Sequence, residues 1–450
     1  MLVKTESALV AVIMLFLSLF GVSFTHREEN MAKIYQSEYR SPGGNAKTDE
    51  LKALFAPVKE RTPTLTPCPE KDPYPGDPRV KAVYFDGEEC RGRAARVFAY
   101  IGFPEGASAR EPVPAMVLVH GGGAHAYAEW VRYWVDRGYA AISPDCFGQK
   151  YIGEDNTYHW EPEYWTVDPE SHLPIDGFAS KDKPFEEQWF RYFISDIILS
   201  NNIMRADSRV IKDKIGLTGI SWGGFAASVA VCYDERFAFA APVYGSGFQS
   251  VSRTVWGEVF RGEGVSDVWD AENLLGEVAM PVTWFNSDHD PFFSADSAAA
   301  SAAAAQNGAV TFIPDYTHGM IEGGEQPEIL RFANEQTGMG EGNVRIDAIS
   351  FENGRAVVSF TLPADADLPR ASVVWRRGPL EYKDDKLKEE WKTERGVVLD
   401  GRANIRIPAC AEMFYILIEG KVKNVKVGGI FDRDRISATS GIFTRAALEP

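Results

Sequence analysis

The chain has 450 residues, which is too long for one ordinary domain and long enough for two. Hydrophobic residues make up 45% of the sequence and charged residues 25%, a balance typical of a globular protein rather than a disordered one. The formal net charge of -17 argues against nucleic acid and anionic membrane surfaces as partners, because both attract clustered Lys and Arg side chains.

The N-terminal segment has the pattern of a targeting sequence. Lys4 precedes the apolar stretch "ALVAVIMLFLSLFGVSFT", which is short for a bilayer span and ends among small residues. This pattern predicts a signal peptide over residues 1–25 and an extracytoplasmic protein, either periplasmic or secreted. An uncleaved membrane anchor at the same residues is one alternative. Translation from Met31, which leaves a cytosolic protein, is the other.

Cysteine usage gives little support for cross-links. The five cysteines are too few and too scattered for a disulfide scaffold, and no C-x-x-C pair indicates a zinc site. Cys68 and Cys90 form the one pair that we would test as a bridge.

Strand-like and helix-like segments alternate over residues 96–337, after an N-terminal extension at residues 26–95. Helices are predicted at residues 126–138, at 185–205 with an amphipathic pattern, and in the alanine-rich stretch 294–308. Alternation of this kind predicts an α/β catalytic domain with a mostly parallel sheet and helices on both faces. The predicted strands are "RVFAYIGFP", "AMVLVH", "AAISPD", "KIGLT", "FAFAAPVYG", "PVTWFNS" and "AVTFIPD".

The pattern changes near Gly338, where "GMGEGN" is a plausible linker. Short alternating strands follow, among them "AVVSFTLP", "ASVVWRRG" and "MFYILIEGKV". The charged stretch "YKDDKLKEEWK" is the exception and carries a helix signal. Residues 343–446 are therefore predicted to form a small C-terminal β-sandwich.

The stretch "LTGISWGGF" joins a predicted strand to a run of small apolar residues. Gly219 and Gly223 stand two residues before and after Ser221, where they permit a sharp turn that exposes the serine hydroxyl. This is the G-x-S-x-G pattern of a nucleophile elbow. A glycine-rich turn with an incidental serine is the plainer interpretation of the pentapeptide alone.

A nucleophilic serine needs a base, and the base needs a group that orients it. In sheets of this type the chain order is Ser, then Asp or Glu, then His, each after a strand. His318 follows the last predicted strand and is our candidate base. Asp288 and Asp290 both follow the strand before it, and Asp290 is preferred because Pro291 stiffens its loop.

The stretch "VHGGGAHAYAEW" follows another strand, at the place where an oxyanion loop belongs. Glycines let backbone N–H groups approach an oxyanion without obstruction by side chains. Gly122, Gly123 and the N–H of Trp222 are the candidate oxyanion donors.

Together these stretches, spread over residues 96–332, resemble the α/β-hydrolase superfamily. They resemble more closely its acetyl xylan esterase and dienelactone-hydrolase-like group, which is related to the catalytic domain of prolyl oligopeptidase. The resemblance implies the α/β-hydrolase fold and places the triad acid at Asp290, since the family's acid loop reads N-G-T-N-D before aromatics and a proline. Ser287 replaces the family's glycine and Ser294 a frequent proline, so Asp288 stays open as the acid.

The sequence and the resemblance together predict a serine carboxylic ester hydrolase that needs no metal or organic cofactor. Its expected substrate is an acetyl ester of a polysaccharide or oligosaccharide such as xylan. Trp160, Tyr164 and Trp165 lie in a long loop and are candidate sugar-stacking residues, although they are equally suited to anchoring that loop. The alternatives are a serine peptidase like prolyl oligopeptidase and a non-catalytic binding protein on a hydrolase scaffold.

Overall fold

The computed structural model describes residues 39–448 except 75, 154–161, 314–315, 317, 384–385 and 428–430. The proposed leader at residues 1–25 lies outside this range. Within it, none of the helices combines the length and the apolar character that crossing a membrane requires.

One large mixed sheet organises the first part of the chain. Its nine strands lie in the order β1-β2-β3-β5-β4-β8-β9-β10-β11. Along this order, neighbouring strands from β5 through β4, β8, β9 and β10 to β11 are parallel. Neighbouring strands among β1, β2, β3 and β5 are antiparallel. The strands are β1 (Leu65–Pro67), β2 (Val80–Asp86), β3 (Arg96–Gly102), β4 (Val113–Val119), β5 (Ala140–Pro144), β8 (Val210–Ile220), β9 (Phe239–Val243), β10 (Val282–Asn286) and β11 (Gly308–Phe312).

Helices cover the sheet. Every residue of β5, β9 and β10 is buried, so both faces of the sheet are covered at these strands. The mostly parallel α/β fold predicted from the sequence is thereby confirmed. The helices are α1 (Ala46–Glu60), α2 (Ala128–Val135), α3 (Trp189–Ala206), α4 (Trp222–Ala230), α5 (Val255–Glu263), α6 (Ser266–Trp269), α7 (Ala295–Ala304), α8 (Met320–Gly324) and α9 (Pro327–Thr337).

The predicted amphipathic helix is buried on almost every side. All residues of α3 from Trp189 to Met204 are buried, because α1 packs against the helix and the rings of Phe178 and Trp269 cover its N-terminal part. The Asn202 side chain donates to the carbonyls of Val58 (2.7 Å) and Arg61 (2.6 Å) at the end of α1. The N-terminal extension is thus part of the packing of the catalytic domain.

Shorter elements connect these units. A hairpin of β6 (Gln149–Tyr151) and β7 (Trp165–Val167) lies in the long loop after β5. The 3-10 turns are Pro69–Lys71, Pro162–Tyr164, Phe185–Glu187, Ala271–Asn273, Leu275–Glu277 and Arg445–Leu448.

The structure contains no disulfide between Cys68 and Cys90, the pair that the sequence left to be tested. Both cysteines are free, and the Cys68 thiol donates to Glu70 (3.1 Å).

Residues 345–444 form two antiparallel sheets, which we call the C-terminal β-sandwich. One sheet has the order β12-β13-β19-β18, and the other has the order β17-β14-β20-β21 with β22 beside β20. Val358 and Ile405 from one sheet share a buried core with Val373 and Ile416 from the other. The strands are β12 (Arg345–Glu352), β13 (Arg355–Thr361), β14 (Asp367–Arg376), β17 (Lys392–Arg395), β18 (Val397–Leu399), β19 (Arg402–Arg406), β20 (Met413–Val427), β21 (Phe431–Thr439) and β22 (Phe443–Thr444).

The helix signal in "YKDDKLKEEWK" is wrong. The stretch contains a two-stranded hairpin of β15 (Tyr382–Lys383) and β16 (Lys386–Leu387), and its last residue begins β17. The Leu387 side chain is buried in the core that the large sheet shares, and Tyr382 packs against that core. Tertiary burial of these two side chains therefore overrides the helix propensity of the charged residues around them.

The β-sandwich is packed directly against the large sheet. Leu380, Met413, Tyr415 and Leu417 belong to the same buried cluster as the core of the catalytic domain. A second contact is ionic, because Arg433 on β21 donates to both carboxylate oxygens of Glu328 on α9 (2.8 and 2.9 Å). Both the apolar and the ionic contacts thus join the two parts of the chain.

Candidate active site

Ser221 occupies a sharp turn between the central strand β8 and helix α4. Its backbone has φ 57° and ψ −118°, a strained conformation for a residue with a side chain. A Cβ atom on Gly219 would lie 2.2 Å from the carbonyl oxygen of Gly223, and one on Gly223 would lie 2.1 Å from that of Val119. Only glycine fits at both positions, so the strand and the helix approach closely and hold the serine at the apex.

The His318 imidazole lies between a hydroxyl and a carboxylate. Nε2 of His318 is 2.9 Å from Oγ of Ser221, and Nδ1 is 2.7 Å from Oδ2 of Asp290. With the proton on Nδ1, the ring donates to the carboxylate and leaves Nε2 free to accept from the serine hydroxyl. The structure therefore brings together the three residues that the sequence analysis selected.

Asp290 is buried, with 1% of its surface exposed. Its other oxygen, Oδ1, accepts from the backbone N–H groups of Phe292 (2.9 Å) and Phe293 (2.7 Å). Both carboxylate oxygens are therefore engaged, one within the loop and one with His318. These bonds satisfy the acceptors of a carboxylate that is buried away from solvent.

Asp288, the alternative acid, faces a different part of the molecule. Its Oδ2 accepts from the hydroxyl of Tyr415 (2.8 Å), and its Oδ1 lies 2.8 Å from Nδ1 of His289. The backbone carbonyl of Asp288 accepts from the indole N–H of Trp391 (2.7 Å). Its hydrogen bonds thus go to the β-sandwich and to its neighbour in the loop, and none goes to His318.

The glycine loop after β4 approaches the start of α4. A Cβ atom on Gly122 would lie 2.5 Å from Cδ1 of the Trp222 ring, and Gly123 has a positive φ of 67°. The backbone N–H of Trp222 is at the first residue of its helix and has no acceptor within it. The candidate oxyanion donors are thus carried by two segments in direct contact.

His120 anchors this loop from inside. Its Nδ1 donates to the carbonyl of Gly121 (3.0 Å), and its Nε2 accepts from the N–H of Cys146 (3.0 Å). Complete burial lowers the pKa of His120 to about 3, so the ring is neutral at neutral pH and keeps both bonds.

Aromatic side chains surround the imidazole of His318. One of them, Tyr244, was not identified by the sequence analysis. The rings of Tyr244 and Phe292 lie 4.7 and 4.8 Å from the ring of His318, and Phe293 is stacked at 6.3 Å. Tyr244 follows β9, the neighbour of β8, and its hydroxyl donates to the carbonyl of Gly319 (3.0 Å). The sequence offered one signal for Tyr244: it is a polar aromatic residue that directly follows the strand beside β8.

Two of the three predicted sugar-stacking residues, Tyr164 and Trp165, lie within the described residues. Trp160 lies outside the described residues. Tyr164 is partly buried, and its ring packs 6.4 Å from that of Tyr151. Trp165 is 8% exposed, and its ring stacks on that of His125 with centroids 4.0 Å apart, so His125 covers one face of the ring.

No metal-binding cluster is evident in the described part of the chain, where no three His, Cys, Asp or Glu side chains are grouped to hold an ion. The groups at the site are a hydroxyl, an imidazole, a carboxylate and backbone N–H donors. Such a set can perform nucleophilic acyl transfer with a charge-stabilised intermediate.

Two acetyl xylan esterases have a similar structure. The acetyl xylan esterase 1 from Thermoanaerobacterium sp. JW/SL YS485 has a TM-score of 0.50 and 16% identity, covering 68% of this chain and 97% of that chain. The acetyl xylan esterase from Paenibacillus sp. R4 has a TM-score of 0.50 and 16% identity, covering 67% of this chain and 98% of that chain. At such identities the likeness shows a common fold.

A puromycin-hydrolyzing peptidase of Mycobacterium tuberculosis is also similar, with a TM-score of 0.41 and 18% identity over 58% of this chain and 40% of that chain. A comparison with curated protein sequences gives no match. The sequence profile of the Dienelactone hydrolase family matches residues 97–328, just over half of the chain. The chain therefore belongs to the Dienelactone hydrolase family, has the α/β-hydrolase fold and is a serine hydrolase.

Proposed function

We propose that the protein hydrolyses carboxylic esters, with Ser221 as nucleophile, His318 as general base and Asp290 as the group that orients His318. The observation that carries this proposal is the continuous hydrogen-bonded chain from Asp290 through His318 to Ser221, with bonds of 2.7 and 2.9 Å. A serine hydroxyl becomes an effective nucleophile only when such a base accepts its proton.

In the first half of the reaction, Oγ of Ser221 attacks the ester carbonyl carbon and Nε2 of His318 takes the hydroxyl proton. The imidazolium that forms is stabilised by the Asp290 carboxylate on its other side. Collapse of the tetrahedral intermediate breaks the bond to the alcohol oxygen. His318 then gives the proton to the departing alkoxide, which leaves as a neutral alcohol, and the acyl group stays on Oγ of Ser221 as an ester.

The negative charge of the tetrahedral intermediate needs its own partners. We assign this role to the backbone N–H groups of Gly122, Gly123 and Trp222. Because the protein holds these donors in place before the reaction begins, they stabilise the oxyanion without reorganisation. In the second half, His318 deprotonates a water molecule that attacks the acyl carbon. The bond to Oγ then breaks, His318 returns the proton to Ser221, and the acid is released.

Acetyl esters of carbohydrates are the substrate class that we propose. The resemblance of the sequence to the acetyl xylan esterase group supports this choice. The shared fold with two acetyl xylan esterases is consistent with it. With Trp165 packed inside the loop, a sugar would have to be recognised by other side chains around the site.

The test compares hydrolysis of p-nitrophenyl acetate, p-nitrophenyl esters of longer acids and acetylated xylan. Wild type should release acetate from the short ester and from xylan, and Ser221→Ala should release none above background. Ser208→Ala is the matched control, because Ser208 is exposed on a turn before β8 and should leave all rates unchanged.

The same experiment separates the alternatives. Cleavage of an aminoacyl-proline amide without ester hydrolysis would replace the esterase by a peptidase. Failure of Ser221 to react with a fluorophosphonate, together with inactivity on every substrate, would favour a binding protein on a hydrolase scaffold. Activity on simple esters but not on acetylated xylan would support the proposed mechanism and contradict the proposed carbohydrate substrate.

We also propose an extracytoplasmic location, on the basis of the apolar segment at residues 1–25. N-terminal sequencing of the protein recovered from separated cell fractions tests this. A cleaved chain outside the cytoplasm supports the proposal. A membrane-bound chain with an intact N-terminus, or a cytosolic chain that begins at Met31, overturns it in favour of the corresponding alternative.

A further inference from the structure

The loop that carries Asp290 is bound to the C-terminal β-sandwich two residues before the carboxylate. Tyr415 on β20 donates its hydroxyl to Oδ2 of Asp288 (2.8 Å), and Trp391 donates its indole N–H to the carbonyl of the same residue (2.7 Å). Tyr415 is 2% exposed, and burial raises its pKa well above the usual range, so the hydroxyl stays protonated as a donor.

The β-sandwich also binds the strand that leads to His318. The Tyr415 ring packs against that of Phe312, the last residue of β11, with centroids 4.9 Å apart. Beside it, Oγ1 of Thr439 accepts from the N–H of Phe312 (3.0 Å) and donates to the carbonyl of Val310 (3.1 Å). The Tyr415 side chain thus contacts both the loop that carries Asp290 and the end of the strand that precedes His318.

The local bonds of Asp290 cannot fix its distance to His318 by themselves. Its Oδ1 accepts from Phe292 and Phe293 in its own turn, and the Thr254 hydroxyl holds that turn on the side after Asp290 by donating to the carbonyl of Phe292 (2.6 Å). The bonds from Tyr415 on β20 and from Trp391 just before β17 tie the side of the loop before Asp290 to the β-sandwich, which also contacts β11. A displacement of about 1 Å between catalytic groups can lower a rate by roughly 100-fold, so such a tie matters for the chemistry.

We propose that Tyr415 and Trp391 are positioning residues, which act through Asp288 to hold Asp290 against His318. The proposal rests on the proposed function, in that it takes Ser221, His318 and Asp290 as the working triad. It makes the β-sandwich a structural part of the active site. A role limited to carbohydrate binding or dimerisation would require neither of these hydrogen bonds.

Tyr415→Phe tests the proposal because it removes the hydroxyl and keeps the ring contact with Phe312. We expect kcat on p-nitrophenyl acetate to fall by roughly 10- to 100-fold while KM stays within about twofold. Tyr382→Phe is the matched control, since the Tyr382 hydroxyl is buried in the same β-sandwich and has no hydrogen-bond partner among the described residues. This control should retain the wild-type kcat.

A double-mutant cycle shows whether the hydroxyl acts through Asp288. Asp288→Ala should cause a loss similar to that of Tyr415→Phe, and the double variant should lose little more than either single variant. Asp288→Asn keeps an oxygen that accepts from Tyr415 and should recover most of the rate. Losses that multiply in the double variant would overturn the proposed route. If Tyr415→Phe does not fold, the Asp288 variants test the same bond from its other side.

A readout that needs no substrate separates this proposal from the proposed function. The Nδ1 proton of His318, shared with Asp290, should give a far-downfield proton NMR resonance that disappears in His318→Ala. In Tyr415→Phe this resonance should shift upfield or broaden, and in Tyr382→Phe it should not change. An unchanged resonance and unchanged kcat in Tyr415→Phe overturn the positioning role. An altered resonance in a protein that hydrolyses no ester supports positioning while the proposed function fails.

Discussion

Oδ2 of Asp290 lies 2.7 Å from Nδ1 of His318, whereas Asp288, only two residues earlier, bonds to Tyr415 in the β-sandwich. This difference predicts that Asp290→Asn lowers kcat by about 10,000-fold. The amide nitrogen would present a donor to the Nδ1–H group, and the ring would lose the tautomer in which Nε2 accepts from Ser221. Steady-state kinetics on p-nitrophenyl acetate measures the loss.

Asp288→Asn is the matched comparison for that variant. It changes the same functional group in the same loop and keeps an acceptor for the Tyr415 hydroxyl. We expect it to retain most of the wild-type kcat, because any effect on Asp290 is only indirect. Equal losses in the two variants would contradict the assignment of Asp290 as the orienting acid.

The order of the three candidate residues could be predicted because each follows a strand of the parallel sheet. The carboxyl ends of such strands meet at one edge, which puts Ser221, the acid loop and His318 near each other. The loop sequence favours Asp290 as the triad acid but leaves Asp288 open as the alternative. The choice depends on Tyr415, which is 127 residues further along the chain and binds Asp288.

Aromatic residues in the long loop show a second limit of sequence reasoning. Trp165 is a residue type that often stacks on sugars, yet its ring is stacked on His125. No local sequence pattern indicates this partner. The helix prediction for the charged stretch that contains Tyr382 and Leu387 is wrong for the same reason. Its charges are those of a helix, but the burial of two apolar side chains at a distant core decides its structure.

The strained backbone of Ser221 predicts that removing its side chain increases stability. Ser221→Gly and Ser221→Ala should both be inactive, because each lacks the hydroxyl. At φ 57° and ψ −118°, strain of about 1–3 kcal/mol is relieved by glycine and kept by alanine. The greater freedom of glycine in the unfolded chain offsets about 0.5–1 kcal/mol of this gain.

The glycine variant should therefore have a free energy of unfolding about 1 kcal/mol higher than the alanine variant. Urea denaturation of both proteins, followed by tryptophan fluorescence, measures the difference. A more stable alanine variant would mean that the elbow is not strained in solution.

The close contact of Gly122 with Trp222 predicts a loss of activity in Gly122→Ala. The added Cβ would lie 2.5 Å from Cδ1 of the indole. The ring is buried among Phe178, Trp189 and Trp256 and has little room to move, so the loop must shift. We expect kcat to fall by about 100- to 1,000-fold, the usual effect of losing an oxyanion donor.

Gly106→Ala is the control for a change of glycine to alanine. Gly106 has a φ of 84°, and a Cβ atom added there would have no neighbour within 4 Å, so only backbone strain opposes alanine. It should cost about 1–2 kcal/mol of stability and leave kcat unchanged. A Gly122→Ala enzyme with wild-type kcat would remove the glycine loop from the mechanism.

The buried His120 predicts a specific acid sensitivity. Burial lowers its pKa to about 3 in the folded protein, against 6.5 for the unperturbed group. Below pH 6.5 the unfolded chain binds a proton that the folded chain does not, so stability falls with falling pH down to about 3. Between pH 7 and pH 5 this linkage amounts to about 2 kcal/mol.

His120→Gln removes that titrating group. Wild type should lose about 2 kcal/mol more unfolding free energy than the variant between pH 7 and pH 5, measured by urea denaturation at each pH. Asp145, whose pKa burial raises to about 7, has the opposite dependence: its stabilising effect increases as pH falls below 7. Asp145 is present in both proteins, so the comparison cancels its effect. Parallel stability curves would show that His120 takes up its proton without loss of the buried loop, which would contradict its role as a neutral anchor of the oxyanion segment.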